Sequence, residues 1–474
     1  MRSLVEELWT YATSNPKYST FHRGCCDNTL ELFLFSTMDE VRLRHAEEYA
    51  ESILRITFMQ DASFFRKSLL RREAAGEFSY AKQRDHAAHT LYNYLIGWYI
   101  YTNSYVVGEE MARHLKTRGW EGNSTEFGST WPFLSLLHDI GYIFEGSLGP
   151  LSTAIQSEQA KIGVDIAHEY FCSEFWSVNC LDSEYDRRVL QRLIGDSFFQ
   201  PSFSCRSLAQ VADALRYLGN LETLRAQLLT RLRESFPIVG QDDVRMRELS
   251  RGGGLPGDAF DLWEMHYRFF ENKKMVKHIQ SLRDGFYNLL RFGRTDMGIR
   301  HLDHGVCSGL LALLYSTVYF VIFFALEARP LESPADKRVY HNFRVKAAEG
   351  ADMDVDALWW WTNVVWATAG AAMHNIQQIG HLLGLNVKLA KIHLKDDPLA
   401  YLGILADIIQ DWDRYGVSGV SSLTGALPVQ GKDVKLGVGG GKILIRYGDP
   451  KRVKAITNDL DRALYGWKDL ICLE

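Results

Sequence analysis

Histidine or aspartate interrupts the most apolar helical stretches of this 474-residue chain at five separate places. Burying an isolated carboxylate costs several kcal/mol or more, so a carboxylate in such a place needs a cation or a metal. The sharpest interruption is the adjacent pair His138–Asp139 in the run from Ser135 to Glu145. Upstream, His86 and His89 stand three apart and so share one helix face. Downstream, His301 and His304 repeat that spacing at the start of a long apolar segment. His374 follows Ala369-Gly-Ala-Ala-Met, and Asp407 follows Leu402-Gly-Ile-Leu-Ala. Any one of these reads as a core histidine on a carbonyl or an aspartate capping a helix. Five together, all of metal-ligand type, point to one polar centre inside a helical core.

The ordered set His89, His138–Asp139, His304, His374, Asp407 resembles the HD-domain superfamily of metal-dependent phosphohydrolases. His89-Thr-Leu is similar to the family's first metal histidine, Leu137-His-Asp-Ile-Gly141 to its signature, and Ala406-Asp-Ile to its closing aspartate. His304 and His374 are what the binuclear branches add, as in the HD-GYP phosphodiesterases and the di-iron oxygenases related to myo-inositol oxygenase. The resemblance covers residues from about 80 to 145 and 295 to 415.

The resemblance implies two divalent ions (Mn, Mg, Fe or Zn), with Asp139 bridging them. His89, His138 and Asp407 would hold one ion, and His304 with His374 the other. The catalytic chemistry it implies is attack by a metal-bridged hydroxide on a nucleotide-sized phosphate ester or phosphodiester. Water on a divalent ion can fall from a pKa of about 15.7 to about 7, and the ions also neutralise phosphate oxygens. His86 is the candidate proton donor, although a cyclic-nucleotide phosphodiesterase separates the corresponding histidines by four residues rather than three. Tyr142 stands where HD-GYP enzymes and myo-inositol oxygenase carry a lysine. Cationic contacts to a phosphate are therefore expected from Arg84 and Arg414, with Lys391 more remote, and Tyr142 and Glu145 are expected to line the site. The alternatives are a di-iron oxygenase on the same ligands, or a regulatory protein whose metal site is structural.

Composition agrees with a mainly α enzyme: 46 % hydrophobic residues supply a core, and 11 prolines leave long stretches free to be helical. A net charge of −5, from 53 basic and 58 acidic residues, gives no general attraction to nucleic acid. Polynucleotide binding is disfavoured, and the expected partner is a small phosphorylated substrate. Seven cysteines without a Cys-x-x-Cys pattern read as reduced thiols, and the acidic N-terminal stretch is unlike a signal peptide, so a cytoplasmic location is expected. Gly305 to Ala325 is uncharged and long enough to span a bilayer. Because it begins at Asp303–His304, it reads instead as a buried central helix, with no membrane partner. The cluster Trp359–Trp361 and Trp366 reads as core packing.

The expected organisation is an N-terminal helical layer over 1–75, a surface on which a homo-oligomer could form, followed by an HD-domain core over 76–417. That core carries insertions at about 146–295 and 327–355. The first is expected over the site mouth, with helical stretches at Ile162–Phe175 and Tyr185–Leu193 and a loop at Arg251–Gly257. From 418 the texture changes. Val434 to Tyr447 alternates like a hairpin and Asp449 to Leu464 reads as a capped helix, together a small C-terminal β-β-α appendage over 418–474. Gly437 to Lys442 is not a phosphate loop, since Leu436 and Ile443 replace the first glycine and the magnesium-binding hydroxyl.

Overall fold

The computed structural model describes residues 1–57 apart from Gly24 and Cys26, then 86–141, 259–292, 303–313, 357–375, 391–413 and 429–474, with Arg66, Ser316, Ser333, Pro334 and Lys337 as isolated residues. The described part is mainly helical with a small sheet. The expected helices at 162–175 and 185–193, the glycine loop at 251–257 and most of the 327–355 insertion lie outside the described residues.

Four helices, α1 (Leu4–Ser14), α2 (Pro16–Phe21), α3 (Asp27–Phe35) and α4 (Asp39–Ile56), form the N-terminal layer. Ser3 and Glu6 close a reciprocal capping box on α1, and Asn15 caps α2 ahead of Pro16. The layer packs on α5 (His86–Asn103), which is buried along nearly its whole length. A helix apolar all round must lie inside its protein, and α5 is the central post around which the others assemble. After α6 (Tyr105–Thr117), α7 (Ser124–Ser135) starts at a second capping box, Asn123 with Glu126, and crosses α5.

The segment 259–292, expected within an insertion, forms α8 (Ala259–Phe269) and α9 (Lys273–Phe292). Helix α8 is a core element: its Trp263 indole donates to Thr368 and its Tyr267 hydroxyl to Asp397. The tryptophan cluster is buried, as its spacing implies. It spans α10 (Ala357–Trp359), a π-helical turn at Trp360–Val364 and α11 (Val365–Met373). Asp397 caps α12 (Pro398–Ile409), accepting the Leu399 and Ala400 amides, and its carboxylate also receives the Trp366 indole. This aspartate therefore fixes α12 against α11. Among the described residues no helix is long and apolar enough to cross a membrane.

The appendage has the expected hairpin, β3 (Lys435–Gly439) and β4 (Lys442–Arg446), with Gly440 and Gly441 at positive φ in its two-residue turn. The capped helix follows as α13 (Pro450–Ala463), with Asp449 as its cap. Two further strands join: β6 (Ile471–Leu473) runs parallel to β4, and β1 (Arg2–Ser3) runs antiparallel to β3, giving the order β1-β3-β4-β6. A separate two-stranded ladder pairs β2 (Ile392–His393) with β5 (Leu464–Tyr465).

The strand-rich part is fastened to the segment that follows α12. The Arg452–Asp411 ion pair, at 2.8 Å, is fully buried, and the Tyr447 hydroxyl donates to the Ile409 carbonyl. Asp413, at positive φ, accepts from Arg42 of α4, from the Tyr92 hydroxyl of α5 and from the Gly431 amide.

Candidate metal centre

Four histidines and two aspartates converge where α5, the end of α7, the helical residues 304–313, the end of α11 and the end of α12 meet. Five are buried, and Asp407, with 17 % of its side chain exposed, is the one nearest solvent. Two groups have ligand atoms close enough to hold a metal ion: His89, His138 and Asp139, and then Asp139, His304 and His374.

Asp139 belongs to both. Its Oδ2 lies 3.4 Å from His89 Nε2 and 3.4 Å from His138 Nε2. Its Oδ1 lies 3.6 Å from His304 Nε2 and 3.7 Å from His374 Nε2. Each carboxylate oxygen thus faces one histidine pair. Asp407 Oδ1 joins the first pair, 2.9 Å from His89 Nε2 and 3.6 Å from His138 Nε2.

The local fold sets the ring orientations. His138–Asp139 does not continue the helix but sits in the turn just beyond α7, whose last turn contains Pro132. There the His138 ring returns to the freed helix end, with Nδ1 2.8 Å from the Ser135 carbonyl. His374 repeats the device at the end of α11, with Nδ1 2.8 Å from the Ala371 carbonyl. A carbonyl only accepts, so in both rings Nδ1 carries the proton and Nε2 presents a lone pair. His89 reaches the same state differently. The Gln410 amide nitrogen donates to the Trp412 carbonyl at 2.7 Å, which turns Gln410 Oε1 onto His89 Nδ1.

In their neutral forms His89 and His138 therefore turn their lone pairs toward each other, with the two Nε2 atoms 3.3 Å apart. Two such lone pairs beside two carboxylates form a donor set that a cation completes, and a partner on the far nitrogen is the usual support of a metal-binding histidine. The residues fit a metal.

The charges agree. Burial alone would push the Asp139 carboxyl up, but the imidazoles of His138, His89, His86 and His304 hold it well below the usual carboxylate range. Burial likewise opposes ionisation of Asp407, and the adjacent His138 and His89 rings outweigh it, holding this carboxyl well below the usual range. Burial, with His138 and His304 adding to it, pushes His374 down to about 3, so this ring is neutral and ready to ligate.

Two glycines permit the close approach. A Cβ on Gly141 would overlap the His304 carbonyl, and one on Gly305 would lie 2.8 Å from the His374 ring. The Gly141 amide donates to Ser308 at 2.7 Å. Asp303 caps the start of the 304–313 helix through the Val306 amide and accepts from Asn375, next to His374.

His86 lies beside the ligands: with Thr90, Ile140, Glu47 and Arg66 it lines a small pocket that reaches Asp139. Arg66 carried no sequence signal, yet it is central to that wall. It pairs with Glu47 at 2.8 Å and donates to Thr90 Oγ1 and the Leu136 carbonyl, tying the His89 helix to the His138 turn. Sequence reasoning also missed Gln410, three residues after Asp407, and Asn93, four after His89; both spacings put them on their ligand's helix face. Arg84, Tyr142, Glu145 and Arg414, expected to line the site, lie outside the described residues. Lys391 instead sits over the Tyr465 ring. No family model, curated protein or solved structure matches this chain, so the functional reading rests on the geometry of the centre itself.

Proposed function

We propose that the chain is an HD-type metal-dependent phosphohydrolase holding two divalent ions and acting on a nucleotide-sized phosphate ester or phosphodiester. The supporting observation is the Asp139 carboxylate, whose two oxygens each face a separate histidine pair. His89, His138 and Asp407 would hold one ion, His304 and His374 the other, with Asp139 common to both. When bound, such a pair of ions supplies an acidified water and neutralises phosphate charge.

The protein's part is placement. The Ser135 and Ala371 carbonyls and the Gln410 amide hold protons on the outer nitrogens of His138, His374 and His89, which aims the three Nε2 atoms inward. Arg66 and Glu47, already paired with each other, hold the wall next to Asp139 rigid. His86, in that wall, would give a proton to a leaving oxygen. Four imidazole nitrogens favour a transition ion over magnesium. That preference keeps a second reading, an oxygenase using two irons, on the same ligands.

Elemental analysis of the purified chain and of Asp139→Ala tests this. About two manganese or zinc ions per chain, lost in the variant, together with Mn²⁺-dependent hydrolysis of a nitrophenyl phosphodiester, are expected. Two irons without hydrolysis would move the assignment to the oxygenase. Metal content unchanged by the substitution would refute the site.

A further inference from the structure

Asn93 is 2 % exposed and stands one turn after His89 on α5. Its Nδ2 lies 3.3 Å from His89 Nε2 and 3.1 Å from His138 Nε2, while its Oδ1 is buried with no hydrogen-bond partner among the described residues. With both outer nitrogens directed at acceptors, the neutral rings turn their Nε2 lone pairs toward this amide. The Asn93 amide thus donates its two protons to the lone pairs an ion would take.

An ion and this amide orientation exclude each other. With the lone pairs occupied, the two N–H groups would lose their acceptors and face a positive charge. A half turn of the terminal amide exchanges oxygen and nitrogen, which are nearly equal in size, about a torsion with a broad two-fold profile. The oxygen then occupies the place the nitrogen holds now, roughly 3 Å from both histidine nitrogens. That is the separation of neighbouring donors around a transition ion with bonds of about 2 Å. The nitrogen moves to the end that already lacks a partner.

Building on the two-ion reading above, we propose that Asn93 reverses its amide when metal binds and supplies Oδ1 as a neutral oxygen donor to the ion held by His89, His138 and Asp407. An Asn carbonyl is a competent ligand for a divalent cation. The two ions then differ. The first would have four side chains, His89, His138, Asp407 and Asn93, in addition to the shared Asp139. The second, with His304 and His374, keeps more positions for substrate.

The test uses the full chain with Co²⁺ as probe, measuring affinity by chelator competition and the visible absorption of the bound ion. Asn93→Leu should weaken one of two Co²⁺ ions by roughly 10- to 100-fold and intensify the absorption as the ion loses a ligand. Asn93→Asp, which restores an oxygen of the same reach, should recover both. Asn93→Ala takes the place of the leucine variant if that one does not fold. If truncation leaves Co²⁺ binding unchanged or tighter with the same absorption, the amide is only an N–H donor competing with the ion, and the inference is overturned while the metal site stands. If the wild-type chain binds no Co²⁺, the site and the inference fall together.

Discussion

Gln410→Leu is the perturbation that isolates ring orientation from ligation, because Gln410 touches His89 only through the nitrogen that faces away from the centre. Gln410 is 1 % exposed, and its amide satisfies two buried groups at once, His89 Nδ1–H and the Trp412 carbonyl. Each buried polar group left unpaired costs about 1–3 kcal/mol. The variant should therefore lose about 2–6 kcal/mol of stability without metal. Freed from its acceptor, the His89 ring can also flip or carry its proton on Nε2, which should weaken one metal ion by roughly 10- to 100-fold. Gln410→Glu separates the two effects. Its carboxylate still accepts from His89 but opposes the Trp412 carbonyl, so stability should fall while metal affinity holds. Denaturant unfolding in the presence of a chelator gives the first quantity, and chelator competition with Co²⁺ the second. Wild-type metal affinity in Gln410→Leu would refute the argument that Gln410 fixes the His89 tautomer.

Burial pushes His22 and His114 down to about 3 and His278 to about 4, so the folded protein keeps them neutral where the unfolded chain protonates them near 6.5. Their contribution is fully present above pH 6.5 and is lost as pH falls, each by about 1.4 kcal/mol per pH unit down to its folded value. The slope of unfolding free energy between pH 6 and 4.5 should accordingly flatten by about that amount in His22→Gln, and an unchanged slope would show that His22 does not stay neutral. Arg66→Met strands the Glu47 carboxylate against the wall of the centre and should cost about 3–5 kcal/mol. The double variant Arg66→Met, Glu47→Leu should recover much of that loss in thermal unfolding, and a neutral single variant would mean that the pair does not hold the wall.

The candidate ligands were legible in the sequence because histidine and aspartate are conspicuous inside apolar helices, and the six that stood out do come together. The residues that orient them were not. Asn93 and Gln410 are ordinary amides, and Arg66 lies in a stretch without periodic pattern, so its role depends on Glu47, Thr90 and Leu136, distant in sequence. The helical pattern also ran on through His138, where the chain in fact turns. Apolar spacing says which residues are buried, and a turn inside the core buries them equally well. The hairpin and α13 were readable from alternation and a capping aspartate. Strand β1 was not, since two residues form a strand only when β3 supplies the ladder.

That short strand has a consequence for how the molecule is made. Arg2 pairs with Leu436, and the Leu4 amide donates to the Val434 carbonyl, so this edge of the N-terminal layer cannot be fastened until residues 434–436 have been synthesised. Closing so long a loop adds only logarithmically to the entropic cost, but contacts this far apart in sequence form late. On the ribosome, α1 to α4 would wait on α5 with one edge unfastened, and Gln410 would wait for the appendage that clamps its neighbours through Tyr447 and Arg452. The orientation of the His89 ring is thereby tied, through Gln410 and its clamped neighbours, to residues well beyond it in sequence.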